Sequence, residues 1–155
     1  MNLYKHKVQY YETDQMGIVH HSNYIRWMEE ARTDFLSQIG WNYAKLEKDG
    51  IFSPVTSVSC KYTHPATFEE EISIAVNVLE FKGVRLVLEY HMTNSKGESV
   101  CKGISEHCFL GSHGKLILLK KELPAFHDLM TKLADSSRLQ SAQSDLQAEQ
   151  SHCCE

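Results

Sequence analysis

The sequence predicts an α+β domain in which an antiparallel sheet of about five to six strands wraps one long central helix. Three observations carry this expectation. Apolar residues recur at helical spacing in one long stretch: Tyr24, Ile25, Trp27, Met28, Ala31, Phe35, Leu36 and Ile39. Between residues 55 and 119, apolar and polar residues alternate in several runs separated by short polar turns. The order is strand, long helix, strands in succession, small helix, and strands joined by short turns pair as antiparallel neighbours.

Residues 5–12, with Val8, Tyr10 and Tyr11, have the β-branched and aromatic content of a strand. A polar loop containing Gly17 follows. Ser22 and Asn23 are residue types that cap a helix N-terminus, and Gly40 ends the helix. Its apolar residues cover more than one narrow stripe, which predicts burial on several sides. Trp27 and Met28 stand at core spacing, whereas Glu29, Glu30 and Arg32 read as a solvated face with local ion pairs. A linker runs through Gly50 and Pro54. Residues 55–62 place Val58, Cys60 and Tyr62 on one side, and residues 71–81 alternate at Ile72, Ile74, Val76 and Val78. Residues 85–93 follow the turn at Lys82-Gly83, and Asn94-Ser95-Lys96-Gly97 forms a hairpin turn. Residues 99–110 and 115–119 are the last strands. Pro124 at a first helical position opens a short C-terminal helix to residue 134. Residues 1–134 thus form one domain. Residues 135–155 hold five Ser and four Gln with a net charge of −3, the composition of a disordered or loosely helical tail. The sheet keeps a second face and two edges that so small a chain does not cover, which predicts a homodimer or homotetramer.

Composition narrows the classes. The chain has 155 residues, 42% apolar and 23% charged, enough for one core and one domain. With 16 Lys and Arg against 20 Asp and Glu, the net charge of −4 argues against nucleic acid as a partner. No apolar run approaches the roughly 20 residues of a membrane span. The polar start lacks the apolar stretch of a signal peptide, and five cysteines without such a signal read as reduced thiols in the cytoplasm. No Cys-x-x-Cys or His-Glu-x-x-His spacing occurs, so no metal is expected.

Chemistry concentrates in residues 10–24, Tyr-Tyr-Glu-Thr-Asp-Gln-Met-Gly-Ile-Val-His-His-Ser-Asn-Tyr, between the first strand and the long helix. The first amides of a helix have no internal acceptor and lie at the positive end of its dipole. A carbonyl placed there is polarised, and one such donor is typically worth about 10²–10³ in rate. A nearby carboxylate can attack that carbonyl or activate a water. Asp14 stands where that task requires it, and His21 at the helix entrance. Read alone, Asp14 is a turn residue satisfying loop amides, His21 a solvated helix-start residue, and Tyr10 and Tyr11 alternate on a strand with one facing the core.

This segment, with the following Met-Glu-Glu-Ala-Arg-Thr-Asp-Phe-Leu, resembles the signature of the hot-dog-fold acyl-CoA thioesterases, in the branch of 4-hydroxybenzoyl-CoA thioesterase and the YbgC-type enzymes. The later Tyr-Thr-His-Pro-Ala-Thr-Phe-Glu-Glu-Glu-Ile-Ser-Ile is similar to that family's next strands, and the resemblance covers roughly residues 4–130. It implies a hot-dog fold, an acyl-CoA substrate, hydrolysis to free CoA and a carboxylic acid, and no cofactor, because the thioester is already activated. It places the catalytic carboxylate on Asp14, as nucleophile or general base. The backbone amides that hold the thioester carbonyl fall at His21 and Ser22, and an accompanying His on His21. An accompanying Tyr falls on Tyr10, or on Tyr11 if one residue is lost. The family's second acid two places before the catalytic Asp is Glu12, its Tyr before the His is here His20, and its Ala-Gly run is Met16-Gly17. Lys61, Lys82, Arg85, Lys102 and Lys115 are candidates for the CoA phosphates. Two other classes compete: a non-catalytic acyl- or CoA-binding module on the same fold, which would not need Asp14, and a hot-dog acyl dehydratase, whose His and acid follow a different order.

Overall fold

The computed structural model describes residues 1–151, with side chains through residue 139. Five strands and four α-helices follow one another as β1 (Tyr4–Lys7), α1 (Ser22–Gln38), α2 (Tyr43–Lys48), β2 (Val55–Tyr62), β3 (Glu71–Phe81), β4 (Arg85–Thr93), β5 (Ser99–Cys108), α3 (Leu119–Glu122) and α4 (Pro124–Ser151). The strands form one antiparallel sheet in the order β1-β3-β4-β5-β2. The sheet curls around α1. Trp27, Met28, Ala31, Phe35 and Leu36 of that helix are buried against Ile72, Ile74, Leu88, Tyr90 and Met92 of the strands. The α+β class, the long central helix and the bounds of β2, β3 and β4 agree with the sequence expectation.

Helix and sheet approach closely at Gly103 of β5, where an added Cβ would lie 2.7 Å from Met28 Sδ and would force that side chain to move. On the far side α4 lies against β3, where β1 has ended. Phe126 of α4 seals the core edge-on to Trp41 (ring centroids 5.1 Å apart) and Phe109 (5.8 Å).

Several expectations are corrected. The first strand stops at Lys7, and residues 10–12, expected to continue it, form a 3₁₀ turn with the rings of Tyr10 and Tyr11 77% and 80% exposed. Neither tyrosine faces the core, because the chain leaves the sheet after the buried Val8. Residues 115–119 make a single bridge, Leu116 to Leu110, instead of a strand, so the sheet has five strands. The linker before Pro54 holds α2, whose Asn42 side chain accepts from the Ala44 amide at 2.9 Å. The C-terminal helix is not short. It runs through residue 134 to Ser151, and the change in composition does not interrupt it. Residues 152–155, part of the expected tail, lie outside the described residues. Among the described residues no helix is long and apolar enough to cross a membrane.

Candidate active site

The loop from Val8 to His21 is built by its backbone. Val8 anchors it to the segment before β3, its amide donating to Glu70 O (2.9 Å) and its carbonyl accepting from the Glu69 amide (3.2 Å). The 3₁₀ turn is held by the Glu12 carboxylate, which accepts from the Gln9 amide at 2.7 Å. Residues 13–19 then double back. The Asp14 amide donates to Ile18 O and the Gly17 amide to Asp14 O, both at 2.9 Å, and Gly17 takes the positive φ of 75° that this tight turn demands. The return limb docks on the stretch ahead of β3 through the Val19 amide to Ala66 O (2.8 Å).

Glu12 holds this assembly from beneath. It is only 5% exposed, and its carboxylate also accepts from Trp27 Nε1 (2.8 Å) and His6 Nε2 (2.9 Å). Its carbonyl accepts from the His20 amide and from Asn23 Nδ2, both at 2.8 Å. Burial alone would raise its pKa, but the Gln9, His6 and Trp27 donors outweigh that and hold it below the ordinary carboxylate value. Glu12 is therefore a buried anion that ties the loop to the start of α1.

Asp14 is half-buried above this base. One carboxylate oxygen, Oδ1, accepts from the Met16 amide at 2.8 Å, while Oδ2 has no donor among the described residues. The loop ends at His21, the residue preceding the first turn of α1. Neither Ser22 nor Asn23 caps the helix as expected. The Ser22 hydroxyl pairs with His20 Nδ1 at 2.9 Å, the Asn23 side chain is spent on Glu12, and no side chain caps at His21. The amide of His21 has no acceptor among the described residues, and that of Ser22 reaches only His20 Nδ1 at 3.4 Å. The His21 amide at the positive end of α1 is thus left without an acceptor among the described residues, and His21 lines the same concavity as Asp14.

Asp14 and His21 line a cleft of about 440 Å³ with Met16, Ile18, Val19, Tyr24, Tyr62, His64 and Pro65. Tyr62, at the end of β2, donates its hydroxyl to His21 O at 3.0 Å and meets Tyr24 edge-on, ring centroids 5.1 Å apart. Burial first, and the neighbouring Cys60 second, push the Tyr62 phenol up to about 12, so it stays a neutral donor. On the other side of Asp14 lies an open groove of about 890 Å³ that includes Tyr10, Tyr11, Gln15, His20, Ser22 and Arg26. The structure therefore brings Asp14 and His21 together and sets Tyr10 beside them in the groove, its ring edge-on to Phe68.

The basic candidates fall elsewhere. Lys82 and Arg85 flank the β3–β4 turn, at the opposite end of β3 from the Ala66–Glu70 stretch that carries the loop, roughly 30 Å along an extended strand. Both are paired with Glu80, and Arg85 also with Glu106. Lys61 pairs in register with Lys102, and alternation along β2 turns it away from the face that carries Tyr62. Lys115 lies between β5 and α3. Sequence reasoning missed Tyr62, His64 and Arg26 as site residues. Arg26 was within reach, since it follows Ser22 by one helical turn, but Tyr62 at the end of β2 and His64 just beyond it meet the loop only through the fold.

The family model of the Thioesterase-like superfamily matches residues 8–146. The chain is 36% identical over 127 residues to a protein of Bacillus subtilis named putative acyl-CoA thioesterase YneP, covering 81% of this chain and 92% of that one. It is 26% identical over 90 residues to the acyl-CoA thioester hydrolase YbgC of Escherichia coli O6:H1, covering 58% of this chain and 67% of that one. Among solved structures, the DHNA-CoA thioesterase of Staphylococcus aureus superposes with a TM-score of 0.79 at 31% identity, over 93% of each chain.

Proposed function

The chain belongs to the thioesterase-like superfamily and is an acyl-CoA thioester hydrolase, and from that premise we propose that Asp14 is its reacting carboxylate. The observation that carries this reading is the juxtaposition of the free Asp14 Oδ2 with the acceptorless His21 amide at the start of α1, both on one cleft. The thioester carbonyl oxygen takes the His21 and Ser22 amides. The helix dipole and these donors then stabilise the oxyanion as the carbonyl carbon becomes tetrahedral. Asp14 either attacks that carbon, expelling the CoA thiolate and leaving a mixed anhydride for water to cleave, or takes a proton from the attacking water. In both routes one water is consumed, and free CoA and a carboxylic acid leave. The His21 ring orients the thioester, and Tyr10 flanks Asp14 from the groove. No bound group is needed, because the thioester supplies its own leaving group.

The site is completed by a second copy. β2 is an outer strand of the sheet, largely exposed along its length, with Val55 and Val58 presenting apolar surface and Tyr62 at the rim of the cleft. Pairing of this edge with its copy covers that surface and closes the cleft, which makes the homodimer the smallest active unit and leaves a homotetramer open through the outer sheet face. Reduced cysteines and a CoA thioester substrate fit a cytoplasmic protein.

The test is thiol release from short, medium, long and aromatic acyl-CoAs by the parent and its Asp14→Asn variant, with the mass in solution read by light scattering. The expected result is turnover by a dimer or larger species and a fall of about a hundredfold or more in the variant without loss of fold. Equal turnover in parent and variant overturns the role of Asp14.

A further inference from the structure

Asp14 is the single residue common to the cleft and the groove, and the two differ in chemistry. The cleft is walled mostly by Met16, Ile18, Val19, Tyr24, Tyr62 and Pro65, with His21 and His64 as its basic members. The groove has hydroxyls, amides and a guanidinium, contains no aliphatic side chain, and holds no acid besides Asp14. Building on the proposed activity, we propose that the thioester lies across Asp14, with the acyl group in the cleft and the phosphorylated carrier arm in the groove, where Arg26 binds a phosphate of that arm.

Arg26 is fit for this. It is exposed and has no hydrogen bond or ion pair among the described residues. On a helix its natural partners are acids three and four positions on, here Glu29 and Glu30. Both are engaged elsewhere. Glu29 takes two bonds from Arg32, at 2.6 and 3.0 Å, and Glu30 accepts from the Tyr4 hydroxyl at 2.9 Å and faces His6 Nδ1 at 3.3 Å. The guanidinium is left unneutralised on the wall of a groove that also receives the positive end of α1. That is a field for an anion, and a guanidinium fork matches phosphate geometry. The other basic candidates lack this setting, since Lys82 and Arg85 are neutralised and sit at the far end of the sheet. The phosphate belongs either to coenzyme A or to the phosphopantetheine arm of a carrier protein, and the two carry the same thioester end.

The experiment compares three thioesters of one acyl acid, carried on CoA, on phosphopantetheine and on unphosphorylated pantetheine, using the parent, Arg26→Gln and Arg26→Lys. In Arg26→Gln, kcat/KM is expected to fall about tenfold for phosphorylated carriers, through KM, with the pantetheine thioester unchanged and Arg26→Lys recovering part of the loss. A loss on both phosphorylated carriers places the contact at the pantetheine phosphate. A loss on CoA alone places it at the nucleotide phosphates. Equal effects on all three carriers, or none, overturn the assignment of Arg26 while the hydrolase reading stands. Failure of the parent to hydrolyse any of the three overturns both. Met16→Ala supplies the other half. It is expected to reorder the preference among acyl chain lengths by several-fold while leaving the CoA-to-pantetheine ratio at the parent's value, and a change in that ratio instead counts against the division of the two concavities.

Discussion

The two halves of α1 each bury a charge, and they use it differently. Near its start, Glu12 is surrounded by three donors and in turn holds the His20 amide and Asn23 through its carbonyl. In its second half, Arg32 is 3% exposed, a correction to its expected place on a solvated face. It pairs with Glu29, donates to Ser53 O at 3.3 Å and to His107 Nδ1 at 3.1 Å, and lies over the Tyr43 ring at 5.0 Å. Because a guanidinium can only donate, His107 Nδ1 must accept, so the ring proton sits on Nε2 and is given to Ser105 Oγ at 2.7 Å. Ser105 in turn pairs with Tyr90 at 2.9 Å. The Glu12 cluster thus joins loop to helix and sets the position of Asp14 and His21. The Arg32 chain joins helix to β5 and β4 and touches no residue of the cleft. The same device, a buried charge with its partners supplied, fixes the Asp14 loop in one place and a packing interface in the other.

If that division is right, Glu12→Gln has the largest effect. An amide puts a donor where three donors already point, so stability is expected to fall by about 3 kcal/mol and kcat by tenfold or more as the loop loosens. Denaturant melts alongside thiol-release kinetics on the folded fraction read both. Loss of stability with kcat intact would erase the distinction between the two clusters. Arg32→Met is the counterpart. It leaves His107 Nδ1 without its donor, while Ser53 O keeps the Tyr43 hydroxyl at 3.2 Å, and is expected to cost about 2 kcal/mol, with kcat/KM per folded molecule unchanged. A fall in kcat/KM would show that the second cluster also reaches the site.

At neutral pH the smallest effect is that of His107, which shows itself only on acidification and sharpens the contrast. Burial, and then the charge of Arg32, push His107 down to about 4 from its ordinary 6.5. Between those values the unfolded chain binds a proton the native one refuses. The stability from neutral His107 is therefore complete above about pH 6.5 and lost progressively as pH falls toward 4, at most about 3 kcal/mol. Glu12 works the other way round. Its carboxyl is held below its ordinary 4.5, so its contribution is present above 4.5 and lost only at more acid pH. A His107→Gln variant, which can still accept from Arg32 and donate to Ser105, is expected to flatten the slope of stability between pH 6.5 and 4.5. Urea midpoints across that range check it, and an unchanged slope would assign the titration to another group.

What was legible in the sequence follows from how local each signal is. β3 and β4 announce themselves because alternate side chains meet core and surface, and the apolar face of α1 is equally clear. The loop that holds Asp14 and His21 could be singled out as a candidate because it lies within one short segment. Tyr10 and Tyr11 misled because β propensity measures packing on a pleated surface, and these rings pack on none. α2 is too short to show a period, although Asn42 at its start and Gly50 beyond its end were signals in plain view. The Arg32–His107 contact joins residues far apart in the chain, and nothing local to either hints at the other.

One feature bears on the order in which the molecule assembles. The loop that carries Asp14 has its backbone bonds to Ala66, Glu69 and Glu70, and its neighbour Tyr62 comes from the end of β2. During synthesis the segment that carries Asp14 precedes its docking partners, which appear only after α1, α2 and β2 have been made. These contacts are distant in sequence, and their loop-closure entropy must be met before they stabilise anything. The nascent chain therefore carries the Asp14 loop undocked until the stretch from Tyr62 to Glu70 has followed it, and the cleft takes shape only as the sheet closes behind that loop.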